Sequence, residues 1–384
     1  MKRLFLSVFM LLVAFATFAQ SRPKLIVGIV VDQMRWDYLH RYYNLYCEGG
    51  FKRLMNEGFD CENTMINYIP AITAVGHTSI YTGAVPSIHG IQANNFLLNG
   101  KMTYCTADST VSGVGTDSKA GQMSPRNMLT TTIGDELKVA TNFKSRVFGV
   151  SIKDRAAILP AGHAADAAYW IDSKQSKFIT SNYYMKQLPA WVEKYNKKIS
   201  KYTSDQISYS PVGNEVTIDM AKSVISNEKL GQQGETDMLC VSFSSTDKIG
   251  HKYGTHCQII QDQFVDLDKR LADFFNYLDQ TIGKDEYLVF LTADHGAANN
   301  ILMNQKHGIP AGGFFYKQEL KDLNTYLQKK YNTTASLARY IMSYNVVLDH
   351  DAIAKAGLKL RTVKNDVVKY FQGKEYVAYA VNID

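Results

Sequence analysis

The sequence predicts an α/β protein, a central and mostly parallel sheet with helices on both faces, and three observations carry that expectation. Short runs rich in Val, Ile, Leu and Phe recur along the chain, amphipathic patterns separate them, and acidic residues close several of the runs. Strands buried on both faces read as continuous apolar runs. Their alternation with helical patterns argues for a layered α/β fold. With 384 residues, 46% of them hydrophobic and 20% charged, the chain has material for a large core.

The first 19 residues, MKRLFLSVFMLLVAFATFA, combine a basic start at Lys2 and Arg3 with an apolar run and small residues near Ala19. That is the layout of a cleavable secretory signal. The expectation is therefore a leader over 1–19, export to the periplasm, no stable membrane span after cleavage, and one domain over 20–384. Expected strands are KLIVGIVVD (24–32), RVFGVSI (146–152), DMLCVSFSSTD (237–247) and EYLVFLTADHG (286–296). Expected helices cover 36–58, broken near Gly49, and 262–282, where apolar positions recur at three and four residues. The polar stretch 100–124 reads as a long excursion, and 169–181 as a hairpin on an inserted cap.

Composition narrows the function. The formal charge of +6 includes two leader residues and favours anionic ligands only weakly. No Lys/Arg run or aromatic-basic array points to nucleic acid. Cys47, Cys61, Cys105, Cys240 and Cys257 show no CxxC spacing, which argues against a zinc-thiolate site. Export would permit disulfides among them.

Three expected strands end in acid: Asp32, Asp247, and Asp294 with His295 beside it. One Asp at a strand end is commonly a helix cap. Three of them, at the end of a sheet where α/β proteins gather their ligands, suggest a shared crevice. In TDKIGH, Asp247 and His251 stand four apart, on one side of a helical turn. Carboxylate and imidazole together suit Zn²⁺. The residues sort into two sites, Asp32, Asp294 and His295 around one ion, Asp247 and His251 around another, the second being one ligand short. Two metals about 4 Å apart clamp the attacking and leaving oxygens of a phosphoryl transfer. The nucleophile would then be a hydroxyl. Among Thr73, Thr78, Ser79 and Thr82, Thr73 follows YIPAI and opens an expected helix, whose N-terminus also favours phosphate.

In the order VVDQMRWDYL, PAITAVGHTSIYTG, IHGIQANNF, SIKDRAAILPAGHAADAAYW, SSTDKIGHKYG and TADHG, the chain resembles the alkaline phosphatase superfamily from about residue 24 to 310. The resemblance is to its exported bacterial branch with a threonine nucleophile, close to the nucleotide pyrophosphatase/phosphodiesterases. It implies two zinc ions on the residues named above, Thr73 as the residue phosphorylated, and Asn94, Lys153 and Arg155 on the phosphate oxygens. The Lys and Arg imply small-molecule phosphate monoesters as substrates; diesters or nucleotide pyrophosphates are the alternative. His77 and His163 read as structural groups or as supports behind the ligands, not as ligands themselves. The family's further histidine for the Asp247/His251 zinc is not matched by His307 or His350, so a chain short at its C-terminus, catalytically impaired in the extreme, is also expected.

Overall fold

A computed structural model describes residues 22–383, so the expected leader lies outside the described residues. Among the described residues no helix is long and apolar enough to cross a membrane. The chain divides into two compact units, Met1–Asn299 and Asn300–Asp384.

The first unit is built on a seven-stranded sheet in the order β4-β7-β6-β5-β8-β1-β9. Its parallel part comprises β1 (Leu25–Val31), β5 (Val147–Ser151), β6 (Ala167–Asp172), β8 (Asp237–Phe243) and β9 (Tyr287–Thr292). The four expected strands are all present there, as β1, β5, β8 and β9. Strand β1 is central, pairing with β8 on one side and β9 on the other. Its LIVGIVV run is apolar throughout because both faces are covered: Leu25, Val27, Ile29 and Val31 join Phe264 and Phe274 in one core, while Val30 meets Tyr81 and Cys240 in another. Each such buried side chain contributes about 1.5–3 kcal/mol.

Two expectations need correction. The 169–181 segment is a hairpin, but its strands β6 and β7 (Lys177–Ser181) belong to the central sheet, where β7 runs antiparallel next to the two-residue β4 (Gly113–Val114), and not to a cap. Buried Trp170 and Ile179, with no polar face to show solvent, account for the difference. The separate hairpin is β2 (Asn95–Leu98) with β3 (Lys101–Tyr104). Strand β8 stops at Phe243, and Asp247 falls in the first turn of the following helix, Ser245–Tyr253, not at a strand end. The hydroxyl-rich SFSST stretch carries the chain from one element into the other. The 36–58 segment is broken more widely than expected, into helices Asp37–Arg41 and Phe51–Glu57 with a short 3₁₀ turn, and the later helix runs Gln258–Leu278. All five cysteines are free.

The second unit has its own core of Leu323, Leu327, Leu337, Ile353, Val363 and Phe371. Helices Tyr316–Tyr331, His350–Lys355 and Leu360–Gln372 surround the hairpin of β10 (Ala338–Met342) and β11 (Asn345–Leu348). His350 opens the second of these helices.

Candidate metal and phosphate site

The site is assembled from the carboxyl ends of β1, β5, β8 and β9, all within the first unit. Asp32 directly follows β1, and its N–H donates to the Phe243 carbonyl at 3.1 Å. Asp294 lies two residues past β9 and is fully buried, as is Asp32. Together with His295 they form a group whose potential ligand atoms all lie within 4.8 Å of one another. His295 Nδ1 is 2.8 Å from the Gly296 carbonyl, so Nδ1 carries the proton and Nε2 presents its lone pair, 3.6 Å from both Asp32 Oδ1 and Asp294 Oδ2.

The donor set fits a cation. Asp32 Oδ1 is buried without a hydrogen bond, and Asp294 Oδ2 meets only His77 Nδ1 within hydrogen-bond distance, at 3.1 Å; buried carboxylate oxygens with so few partners are costly unless something compensates them. Burial, then the neighbouring Asp294 carboxylate, pushes Asp32 up to about 6 despite Lys153. Three buried carboxylates share the single ammonium of Lys153, and a divalent ion on Asp32, Asp294 and His295 would offset the charge that remains. Asp247 behaves oppositely: burial raises it, but His251 and Lys153 outweigh burial and hold its carboxyl below the usual range. His251 Nε2 lies 3.0 Å from Asp247 Oδ1, and its side chain is 72% exposed. Asp247 raises the His251 pKa above its ordinary value. Among the described residues, this pair gains no third metal-capable ligand of its own.

Thr73 opens the Thr73–Thr82 helix as expected. Ile72 is the N-cap and makes no side-chain cap, so Thr73 is not an ordinary capping residue and its hydroxyl is not spent on the helix end. Gly76 lets this helix lie on the backbone of Asp294, where an added Cβ would come within 2.2 Å of the Asp294 carbonyl oxygen. Asn94 Oδ1 accepts from the Ala74 N–H at 3.0 Å, which leaves its NH₂ end to donate elsewhere.

Lys153 and Arg155 are not a surface pair around Asp154. Lys153 Nζ reaches Asp32 Oδ2 at 2.7 Å, Asp247 Oδ2 at 2.6 Å and Thr73 Oγ1 at 3.5 Å. Arg155 Nη1 donates to the Tyr104 hydroxyl at 2.9 Å, while its Nε is buried without a partner. Tyr104 in turn donates to Asp154 Oδ1 at 2.7 Å. Of the nine residues expected at the site, the structure thus brings the three acids, His251, His295, Thr73 and Lys153 into contact or near contact. Asn94 adjoins them through the Thr73 helix. Arg155 adjoins them through Lys153's segment.

Further residues support the site. His77, expected as a structural or supporting group, is fully buried with Nδ1 2.9 Å from the Thr73 carbonyl and 3.1 Å from Asp294 Oδ2. Two acceptors at Nδ1 place its proton there, so Nε2 accepts from Ser242 Oγ at 2.8 Å. Ser242 and Ser151 each contact Ser244, and the Lys153 N–H donates to Ser151. This hydroxyl chain ties the Thr73 helix to the ends of β5 and β8. Lys248 adds a third cation; burial, then Lys153 and Arg155, lowers its pKa, and its Nζ donates to Ser208 at 2.9 Å. The hydroxyl-rich SFSST run was the one visible signal for the serines; His77 carried none beyond its place in the GHTS stretch.

Residues 26–381 match the type I phosphodiesterase / nucleotide pyrophosphatase family. The chain belongs to this family. That places it in the alkaline phosphatase superfamily, as its motifs imply. Alkaline phosphatase PafA of Elizabethkingia meningoseptica is 42% identical over 96% of this chain and 77% of its own length. Alkaline phosphatase PhoV of Synechococcus elongatus is 43% identical over 94% and 74%. A protein of Myroides odoratus named calcium-transporting ATPase is 43% identical over 95% and 76%. The crystal structure of PafA superposes with a TM-score of 0.91 at 41% identity, covering 95% of this chain and 80% of PafA. A PafA variant with a threonine, an asparagine, a lysine and an arginine replaced superposes at 0.89, with 40% identity over 94% and 79%.

Proposed function

We propose that this protein is a zinc-dependent phosphatase that releases inorganic phosphate from small-molecule phosphate monoesters through a phosphothreonine at Thr73. The observation that carries the proposal is Lys153, whose Nζ stands 3.5 Å from the Thr73 hydroxyl while bridging Asp32 and Asp247. A cation, a hydroxyl and buried carboxylates, one of them with the unpartnered oxygen Asp32 Oδ1, meet at one point, where a phosphoryl group could be received. Asp32, Asp294 and His295 would hold one zinc ion, Asp247 and His251 the other. Zinc bound there would lower the pKa of a contacting hydroxyl and offset negative charge on the oxygens of the reacting phosphate.

The chain's own groups do the rest. Thr73 Oγ gives up its proton to solvent water and attacks phosphorus; the ester P–O bond breaks, and the leaving oxygen takes a proton back from water. A water then attacks the phosphothreonine, the Oγ–P bond breaks, phosphate departs, and Thr73 regains its proton. Lys153, the Asn94 amide and the free Nε of Arg155 are the donors offered to the non-bridging oxygens. A monoester is a dianion with more free oxygens than a diester, so a Lys and an Arg favour it. The four residue types replaced together in the PafA variant are those of Thr73, Asn94, Lys153 and Arg155, which supports the same grouping here. The leader-like 1–19 stretch supports a periplasmic enzyme.

The test is Thr73→Ala in the full chain. Phosphate release from an aryl phosphate should fall by at least a thousandfold while zinc content stays at the wild-type level; turnover that survives the substitution removes Thr73 as nucleophile. Wild-type rates on an aryl phosphate and a bis-aryl phosphate, run in parallel, separate the monoester reading from a diesterase.

A further inference from the structure

Gln33 follows Asp32 and holds the left-handed conformation, φ 66°, which residues with side chains adopt seldom. Such a conformation persists where surrounding contacts impose it, and it is frequent at functional sites. Here the contacts are specific. The Gln33 N–H donates to Asp294 Oδ1 at 3.0 Å, and its side-chain Nε2 donates to Asp247 Oδ1 at 2.9 Å. One residue thus touches an acid from each half of the two-ion arrangement and is covalently joined to the third acid.

The far end of the same amide rests on Gly250. A Cβ placed there would come within 1.9 Å of Gln33 Oε1. Gly250 lies inside the Ser245–Tyr253 helix, where glycine is destabilising by roughly 0.5–1 kcal/mol relative to alanine. The close approach of Gln33 supplies a reason for it.

We propose that Gln33 is a positioning residue that fixes Asp247 relative to Asp294, and so the two halves of the metal centre relative to one another, with Gly250 as its seat. An amide suits the task because it donates one hydrogen bond to the carboxylate and adds no charge beside it. The inference rests on the metal reading above.

The experiment is stepwise zinc binding, measured by competition with a chelator, on the full-length wild type and on Gln33→Glu, Gln33→Ala, Gly250→Ala and Gln33→Ala/Gly250→Ala. Gln33→Glu keeps the size and the backbone N–H and exchanges the side-chain donor for an anionic carboxylate oxygen that faces Asp247, so it reports on this contact even where another variant fails to fold. The wild type should bind in two steps. Every variant should weaken the second by 10- to 100-fold, the usual effect of losing a partner of a metal ligand, and leave the first within twofold. The double variant should be no weaker than the worse single one, because both changes break one contact. Two wild-type steps with Gln33→Glu unchanged would overturn this inference alone. A single wild-type step would overturn it too, leaving no second half to position. No zinc binding at all would take the metal reading down with it.

Discussion

At the scale of single residues, the site depends on groups that act through a neighbour. Tyr104 is the plainest case, accepting from Arg155 and donating to Asp154. Burial, then the Asp154 charge, raises its pKa well above the ordinary value, so the hydroxyl stays protonated and can do both. A hydrogen bond to a charged group contributes about 1.5–3 kcal/mol. Tyr104→Phe should therefore lower kcat/KM for an aryl phosphate by about tenfold or more, each tenfold being 1.4 kcal/mol. Zinc content should not change, and bis-aryl phosphate hydrolysis should stay within twofold. Equal losses on both substrates would mean that Arg155 does not discriminate between them. Nothing in the YCTAD stretch announced this role. Tyr104 is 51 positions from Arg155, His77 is 165 from Ser242, and Gln33 is 214 from Asp247. Partners of this kind meet only through topology, whereas Asp247 with His251 and Asp294 with His295 were legible because their spacing is local.

At the scale of elements, the apolar runs of β1, β5, β8 and β9 were legible because a strand covered on both faces must be apolar at every position. The end of β8 was not, since Ser244, Ser245 and Thr246 serve equally as strand residues and as a first helical turn. The 100–124 excursion was visible only as polar sequence, and two carboxylates help to order it: Asp172, which accepts from Thr116 and Ser118, and Asp108. Asp108 accepts from the Thr110 N–H at 2.9 Å, the Thr110 hydroxyl at 2.6 Å, Ser124 at 2.6 Å and Arg126 at 3.0 Å. Burial raises its pKa, but the Ser124 and Thr110 hydrogen bonds and Arg126 prevail and bring it from 3.8 to about 2. A depressed carboxylate stabilises the fold fully above its unfolded pKa and loses that contribution as pH falls through the folded value. Asp108→Asn should lower stability at neutral pH by roughly 1–3 kcal/mol. The gap from wild type should narrow in thermal melts as pH falls from about 4 through about 2; a gap that does not narrow over that range would show that charge is not what anchors the excursion.

At the scale of the whole molecule, every candidate site residue from Asp32 to His295 lies in the first unit, and the second has a core of its own. A ligand that binds only the native state stabilises by about 2.7 kcal/mol at a hundred times its Kd. Adding zinc to chelator-treated protein should raise the melting transition of the first unit by several degrees, as read by calorimetry on the full chain. A first-unit transition indifferent to zinc would contradict the metal site. The central place of β1 carries a further consequence, for the time course of folding. Its two partners, β8 and β9, are made more than 200 residues later, and pairings so distant in sequence form slowly. A nascent chain that has not reached Asp294 can hold Asp32 beside Asp247 at most, so the group of Asp32, Asp294 and His295 cannot assemble until nearly the whole first unit has been synthesised.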